Sequence, residues 1–410
     1  MRHNVHYAWY VCAGCALLLF CTSGLSINAF SIYQPYILSL NGLTNAQSSS
    51  IITFRYLSGL VSMLLAGLYY RKLSLRAGMA AAGGMTVLAF ALFGCARRYW
   101  MYCVAAAVMG LIYGLGTMIP ITIVLDRWFC EKGGTALGVC SAITGISTLG
   151  IPSLISASVE KYGLRPTFLF EAAAAAVLVT VSALLIRSSP ESCGKQAYGV
   201  SDNRTRRKTE SIGLIGRDWL LLIPMLLLIG AAMNVSYSHL AVLMTGEGYS
   251  AAVGAIAISV SGLSLMAGKL IYGRLSDAIG RYRSNYIFAP FFIAGLFLFC
   301  YIRHGTAILF TAMILYSVGV ASISVGLSAW VADLSSTADY EKVVRRFQTG
   351  YSAGGLLFSP LPGILADRAG GSYTGAYLFF AVAALAVVFC VQYTYIKVRK
   401  RRRTARTGEA

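Results

Sequence analysis

The chain is poor in charge. Asp, Glu, Lys and Arg make up 12% of its 410 residues, acids number 15 against 34 bases, and histidine occurs four times. So few ionisable groups leave little material for acid–base catalysis, and no enzyme signature is found. His3 and His6 have metal-ligand spacing but sit on a short terminus, and the Gly133–Gly134 pair follows no strand, so neither a metal site nor a phosphate loop is expected. Nothing calls for a cofactor. Period-two alternation is missing as well, which argues against a membrane β-barrel. A repeated pore loop or a ring of like charge would mark a channel, and neither occurs. Of ten cysteines, eight fall in apolar runs and two, Cys130 and Cys193, outside them; no disulfide framework follows. Cys12 and Cys15 form a C-x-x-C pair within an apolar run, where free cysteines act as small packing residues.

What is present is apolar length. Hydrophobic residues make up 57% of the chain and the mean hydropathy is +0.68. Runs of about twenty apolar residues, enough to cross a bilayer core as helix, recur along it. Twelve are expected, at 8–36, 46–70, 77–96, 100–125, 134–157, 166–187, 219–245, 250–273, 284–302, 305–333, 343–366 and 373–396. In lipid each backbone amide must be satisfied within its own segment, so the fold class is an all-α membrane protein. The first run lacks a small-residue cleavage site and reads as a retained helix.

A net charge of +19 raises the question of nucleic acid, but the placement of the bases answers it. With the amino terminus inside, 26 Lys and Arg fall on the cytoplasmic side, six outside, and two, Arg55 and Lys269, within runs. This asymmetry places both termini in the cytoplasm and the chain in an inner or plasma membrane, with no nucleic-acid partner. The tail KVRKRRRTAR is expected on anionic lipid headgroups.

A Ser-, Gly- and charge-rich stretch separates six runs from six. The expected organisation is an N-terminal bundle at 1–187, a flexible cytoplasmic linker at 188–217, a C-terminal bundle at 218–397 and a basic tail at 398–410. Gly42 to Gly67 and Gly248 to Gly273 are both 25 residues apart, so the second and eighth runs share a register. Two like-oriented halves are the pattern of transporters that hold substrate between two bundles and rock around it.

From Gly273 to Arg283, GRLSDAIGRYR matches G-x-L-x-D-x-x-G-R-x-[RK] and resembles the major facilitator superfamily, in the loop between the eighth and ninth helices. The resemblance implies twelve helices in two six-helix bundles and a conformational latch: Gly273 and Gly280 allow close approach, and Asp277 faces a helix amino terminus and the arginines, Arg281 and Arg283. The plain alternative is a charged turn. The first-half copy, GLYYRKLSLR, has Arg71 for the acid and Ser74 for the second glycine, a degenerate latch that Asp126 and Arg127 can partly replace.

Residues 126–138, DRWFCEKGGTALG, with GISTLGIP after them, resemble the oxalate/formate antiporter and monocarboxylate transporter branch. There, a cation four residues before the latch glycine is implicated in holding the substrate carboxylate, and Lys269 occupies that place. Lying about one turn from the end of its run, it could instead snorkel to headgroups. Arg55 either attracts an anion or bonds helix carbonyls across the halves. Two intramembrane cations against one candidate anion, Glu171, favour an acidic substrate. Dicarboxylate carriers of the branch place a lysine where this chain has Gly354, which favours a monocarboxylate. NAFSIY, from Asn28 to Tyr33, lacks the lysine of animal monocarboxylate transporters, so lysine-based proton coupling is not supported.

Asn28, Tyr113, Asn234, Tyr237, His239 and Tyr351 are candidates to complete a midplane site, each also readable as an interhelical hydrogen bond. His239 is the candidate for a coupled proton, or a structural histidine. The expectation is therefore a secondary active transporter, functional as a monomer, moving a small organic anion by alternating access with a coupled proton or counter-anion. A facilitator-type exporter of amphipathic compounds and a non-transporting sensor are the alternatives.

Overall fold

The computed structural model describes residues 6–199, 213–336 and 339–407; among them the regular elements are helices, with one isolated bridge between Phe129 and Tyr198. Numbered along the chain, the helices are α1 (Tyr7–Asn41), α2 (Asn45–Lys72), α3 (Leu75–Cys95), α4 (Tyr99–Trp128), α5 (Gly133–Tyr162), α6 (Leu164–Leu185), α7 (Gly216–Ser238, continued by Leu240–Gly246), α8 (Ala251–Ile279), α9 (Arg281–His304), α10 (Thr306–Leu334), α11 (Tyr340–Phe358, then Leu361–Arg368) and α12 (Thr374–Thr407).

Eleven of these are long and apolar enough to cross a membrane among the described residues. The exception is α11. Its first turns carry Lys342, Arg345 and Arg346, and it breaks at Ser359–Pro360, where proline lacks a donor and disfavours helix in the residue before it. The helix starts follow local chemistry. Thr44 and Gln47 form a reciprocal capping box on α2, with Gln47 N donating to Thr44 Oγ1 at 3.2 Å and Thr44 N to Gln47 Oε1 at 3.0 Å. Ser74 and Ser250 cap α3 and α8 in the simpler one-sided way.

The chain divides into two compact units, Met1–Thr205 and Arg206–Ala410. In the first, α4 lies so close to α2 that a Cβ on Gly110 would sit 2.1 Å from the carbonyl oxygen of Arg55, and one on Gly114 2.4 Å from the amide nitrogen of Met63. Only glycine fits there, so packing accounts for both. A core of Val11, Cys12, Leu125, Trp128 and Cys140 fills one end of this unit.

Residues just past α6 depart from the expected flexible linker. Trp128 Nε1 donates to Arg187 O (2.9 Å), Tyr198 N to Trp128 O (2.8 Å) and Cys130 N to Tyr198 O (2.9 Å), and the Lys195 ammonium lies 3.4 Å from the centre of the Tyr7 ring. The aromatic pair that opens the loop after α4 thus seats the start of the linker. Residues 200–212 lie outside the described residues.

The basic tail is likewise placed. Through Thr407 it is a continuation of α12, and Arg401 pairs with the buried Asp218 and donates to Gly213 O (3.3 Å), while Arg402 reaches Ser335 O (3.5 Å). An apolar helix extended by arginines finds carboxylate and carbonyl partners on its own unit, where a tail on headgroups was expected.

Candidate substrate site

Three helices that carry candidate residues lose regular α geometry partway along. α1 widens into π turns over Phe20–Asn28, α4 breaks between Leu115 and Met118, and α7 widens over Gly230–Val235. Such interruptions aim backbone polar groups sideways and recur at binding sites in membrane carriers. Here some are satisfied locally: Thr22 Oγ1 donates to Gly116 O at 2.8 Å, and Tyr70 donates to Leu115 O.

In the first unit Arg55 is buried, 6% exposed, with its guanidinium 5.3 Å from the ring centres of both Phe30 and Tyr56. Nη1 donates to Ile27 O at 3.5 Å, in the widened part of α1. This carbonyl belongs to its own unit, where α1 brings an opened turn beside α2. Tyr113 stands within electrostatic reach of Arg55 and Tyr56. Asn28, next to Ile27, turns its amide to α5 instead, donating to Thr148 Oγ1 (3.3 Å) and Thr144 O (3.5 Å). Glu171 is buried near Tyr33, and its Oε2 has no hydrogen bond among the described residues.

In the second unit Tyr351 donates to Asn234 Oδ1 at 2.6 Å, joining α11 to the widened turn of α7. Tyr237, half-buried, follows three residues on. His239 is fully buried with Nδ1 2.9 Å from Val235 O and its ring 6.3 Å from Tyr373, so its Nδ1 contact is to its own helix. Lys269 is half-buried in α8. That helix runs six residues beyond the expected end, through Arg274 and Ser276 to Ile279, so Lys269 keeps its place four residues before Gly273 while the helix continues past the apolar run. No carboxylate lies within ion-pair distance of it among the described residues. Gly354, at the position of the second clamp, packs against α7: a Cβ there would lie 2.1 Å from Leu227 O, so a lysine is sterically excluded.

At the turn from α8 to α9, Gly280 has φ +83, a conformation that favours glycine. Around Gly273, nothing among the described residues lies within 4 Å of a would-be Cβ. Arg281 pairs with Asp333 at the end of α10, whose other oxygen accepts from Tyr395 at 3.1 Å; Arg283 is exposed. The side chain of Asp277 lies outside the described residues. Asp333 and Tyr395 were missed from sequence. Asp333 closes an otherwise apolar run, and that isolation was the available signal.

Three known proteins bear on these geometries. The chain is 24% identical over 289 residues to an oxalate:formate antiporter of Oxalobacter formigenes, covering 67% of this chain and 65% of that one. It is 22% identical over 383 residues to an aspyridones efflux protein of Emericella nidulans, covering 89% and 73%. The crystal structure of the nucleoside transporter NupG superposes with a TM-score of 0.71 at 16% identity, over 95% of this chain and 99% of that one. The family model described as Major Facilitator Superfamily matches residues 16–338. That match spans well over half of the chain, and the chain therefore belongs to the major facilitator superfamily of membrane transporters.

Proposed function

We propose that this carrier moves a small organic anion, a monocarboxylate, across an inner or plasma membrane by alternating access, with both termini cytoplasmic and with a proton or a second anion coupled to it. The observation that carries the reading is Lys269, a half-buried cation within the membrane-spanning helix α8 and without a carboxylate at ion-pair distance among the described residues. An ion in that place is costly unless it faces a polar cavity or an anionic partner, and a substrate carboxylate supplies one. Arg55, buried on aromatic rings in the first unit, adds a second cation. Steric exclusion of a lysine at Gly354 supports one clamp and hence one carboxylate. Asn234 and Tyr351, already bonded to each other, offer neutral contacts for the rest of the molecule.

The test is counterflow in proteoliposomes preloaded with short carboxylic acids, comparing the native chain with Lys269→Gln across a range of pH. Saturable exchange that the substitution abolishes is the expected result, and its pH dependence separates proton symport from anion exchange. Exchange indifferent to Lys269→Gln, or none with any acid, overturns the reading.

One observation favours a second reading, export of larger amphipathic acids. An open cavity of about 580 Å³ between α7 and α11 has Trp219, Ile223 and Leu226 as an apolar wall, with Arg345 and Arg346 beside it. Likeness to an efflux protein fits that shape. Counterflow with long-chain in place of short-chain acids separates the two.

A further inference from the structure

We propose that the second unit holds one water molecule in a site between α9, α10 and α12, where it bridges two side-chain amides inside the helix packing. The site is a cavity walled by Phe292, Val388 and Val391, with Asn285, Ser322 and Gln392 as polar members of its lining. It offers about 20 Å³ to the centre of a water-sized sphere, where about 10–15 Å³ suffices for one water. Nothing in the substrate reading requires the site, and it stands or falls separately from that reading.

Two orphaned groups point to the occupant. Nδ2 of Asn285 and Oε1 of Gln392 have no hydrogen-bond partner among the described residues, although Asn285 is only 6% exposed and Gln392 5%. Buried amide groups left unmade are costly, and most such groups are paired with protein or with ordered water. Their neighbours fix which atom of each amide is left over. Trp330 Nε1 can only donate, and it meets Asn285 Oδ1 at 3.3 Å, while Tyr272 donates to the same oxygen at 2.8 Å. The nitrogen of Asn285 is therefore the group left for the cavity. Gln392 Nε2 donates to the carbonyl of Tyr282 at 3.2 Å, and a carbonyl can only accept, so the side-chain oxygen of Gln392 is left. Ser322 gives its proton to Gly319 O at 2.7 Å and keeps its oxygen lone pairs.

The cavity thus has a donor from α9 and acceptors from α12 and α10. A water answers all three: it accepts from Asn285 Nδ2 and donates one proton to Gln392 Oε1 and the other to Ser322 Oγ. Three bonds are the usual complement of a buried water. An ion is disfavoured, because the described lining carries no charge and is mostly apolar. A lipid chain is disfavoured too, since it would leave both amides unmade. With the water in place one network runs through four helices. Tyr272 of α8 and Trp330 of α10 hold the oxygen of Asn285 on α9, and the nitrogen of Asn285 reaches Gln392 of α12 through the water.

The test begins with a density map of the full-length native protein sharp enough to show ordered solvent. One peak is expected about 2.7–3.2 Å from both Asn285 Nδ2 and Gln392 Oε1. No peak there while ordered waters are visible elsewhere, a direct bond between the two amides, or a lipid chain in the site overturns the proposal. A second measurement needs no map. Ala289 also lines the cavity, and Ala289→Val puts two more carbons into it. Displacing a water that serves two buried amides should lower the thermal midpoint in detergent by about 2–10 °C. Filling a dry cavity raises the midpoint instead, so a rise or no change refutes the bound water. Overpacking alone also lowers a midpoint. The same substitution is therefore made in a Gln392→Met background, which has already lost the acceptor that the water serves. A clearly smaller fall is expected there; equal falls in the two backgrounds assign the loss to overpacking, and the proposal is wrong.

Discussion

The fastening of α12 to the start of α7 makes a quantitative prediction. Asp218 is 5% exposed, and its Oδ2 accepts both from Arg401 and from Ile215 N, the latter at 2.9 Å. Arg401→Gln leaves a buried carboxylate with one backbone donor. Breaking a fully buried pair costs about 3–5 kcal/mol; here the arginine side chain keeps 26% of its exposure and the Ile215 donor remains, so about 2–3 kcal/mol is expected. For a unit of this size each kcal/mol lowers the midpoint by about 2–4 °C, giving a fall of about 5–10 °C. Trp219 adjoins Asp218 in sequence, so its emission in detergent reports the transition where the damage is done. Asp218→Asn, which still offers an oxygen to Ile215, should cost less, and the double variant should cost less than the sum by about 1 kcal/mol or more. Strictly additive costs, or an Arg401→Gln midpoint within about 1 °C of the native one, would refute the pairing.

Gly114→Ala should destabilise the first unit by about 1–3 kcal/mol, read as a lower midpoint in detergent, because its Cβ meets backbone; Gly67→Ala, with open space around it, is the silent control. Gly354→Lys should give no dicarboxylate exchange in proteoliposomes and little folded protein on size-exclusion chromatography. Tyr198→Ala should release the segment lying on Trp128 and Phe129, with tryptic cleavage after Lys195 accelerated several-fold while cleavage elsewhere is unchanged.

Helix number, the like register of the two halves and the superfamily were legible because each rests on local pattern: apolar length, turn glycines and a charged motif. The α8–α9 turn shows where that legibility stops. Arg281 could be read from its motif, but its partner Asp333 lies 52 residues on, a distance no short motif spans. The same holds for the tail, since a run of arginines reads identically whether it meets headgroups or a buried Asp218. The widened turns of α1 and α7 contain no proline; they depend on neighbours such as Gly116 that accept a displaced hydroxyl. Lys269 was found by position, yet the length of its helix could not be, because the end of α8 is set by Gly280 and not by the end of the apolar run.

The seam between Phe129 and Tyr198 has a practical side for anyone engineering the chain. Counted over 188–217, the connection between the units would be thirty residues, about 100 Å at full stretch; counted from Tyr198 to Gly213, which seats against Ser336, it is fifteen, about 50 Å. A reporter domain, a protease site or a split for separate expression is therefore ill placed between Arg187 and Tyr198, where an insertion would tear out a strap anchored on Trp128 and Cys130.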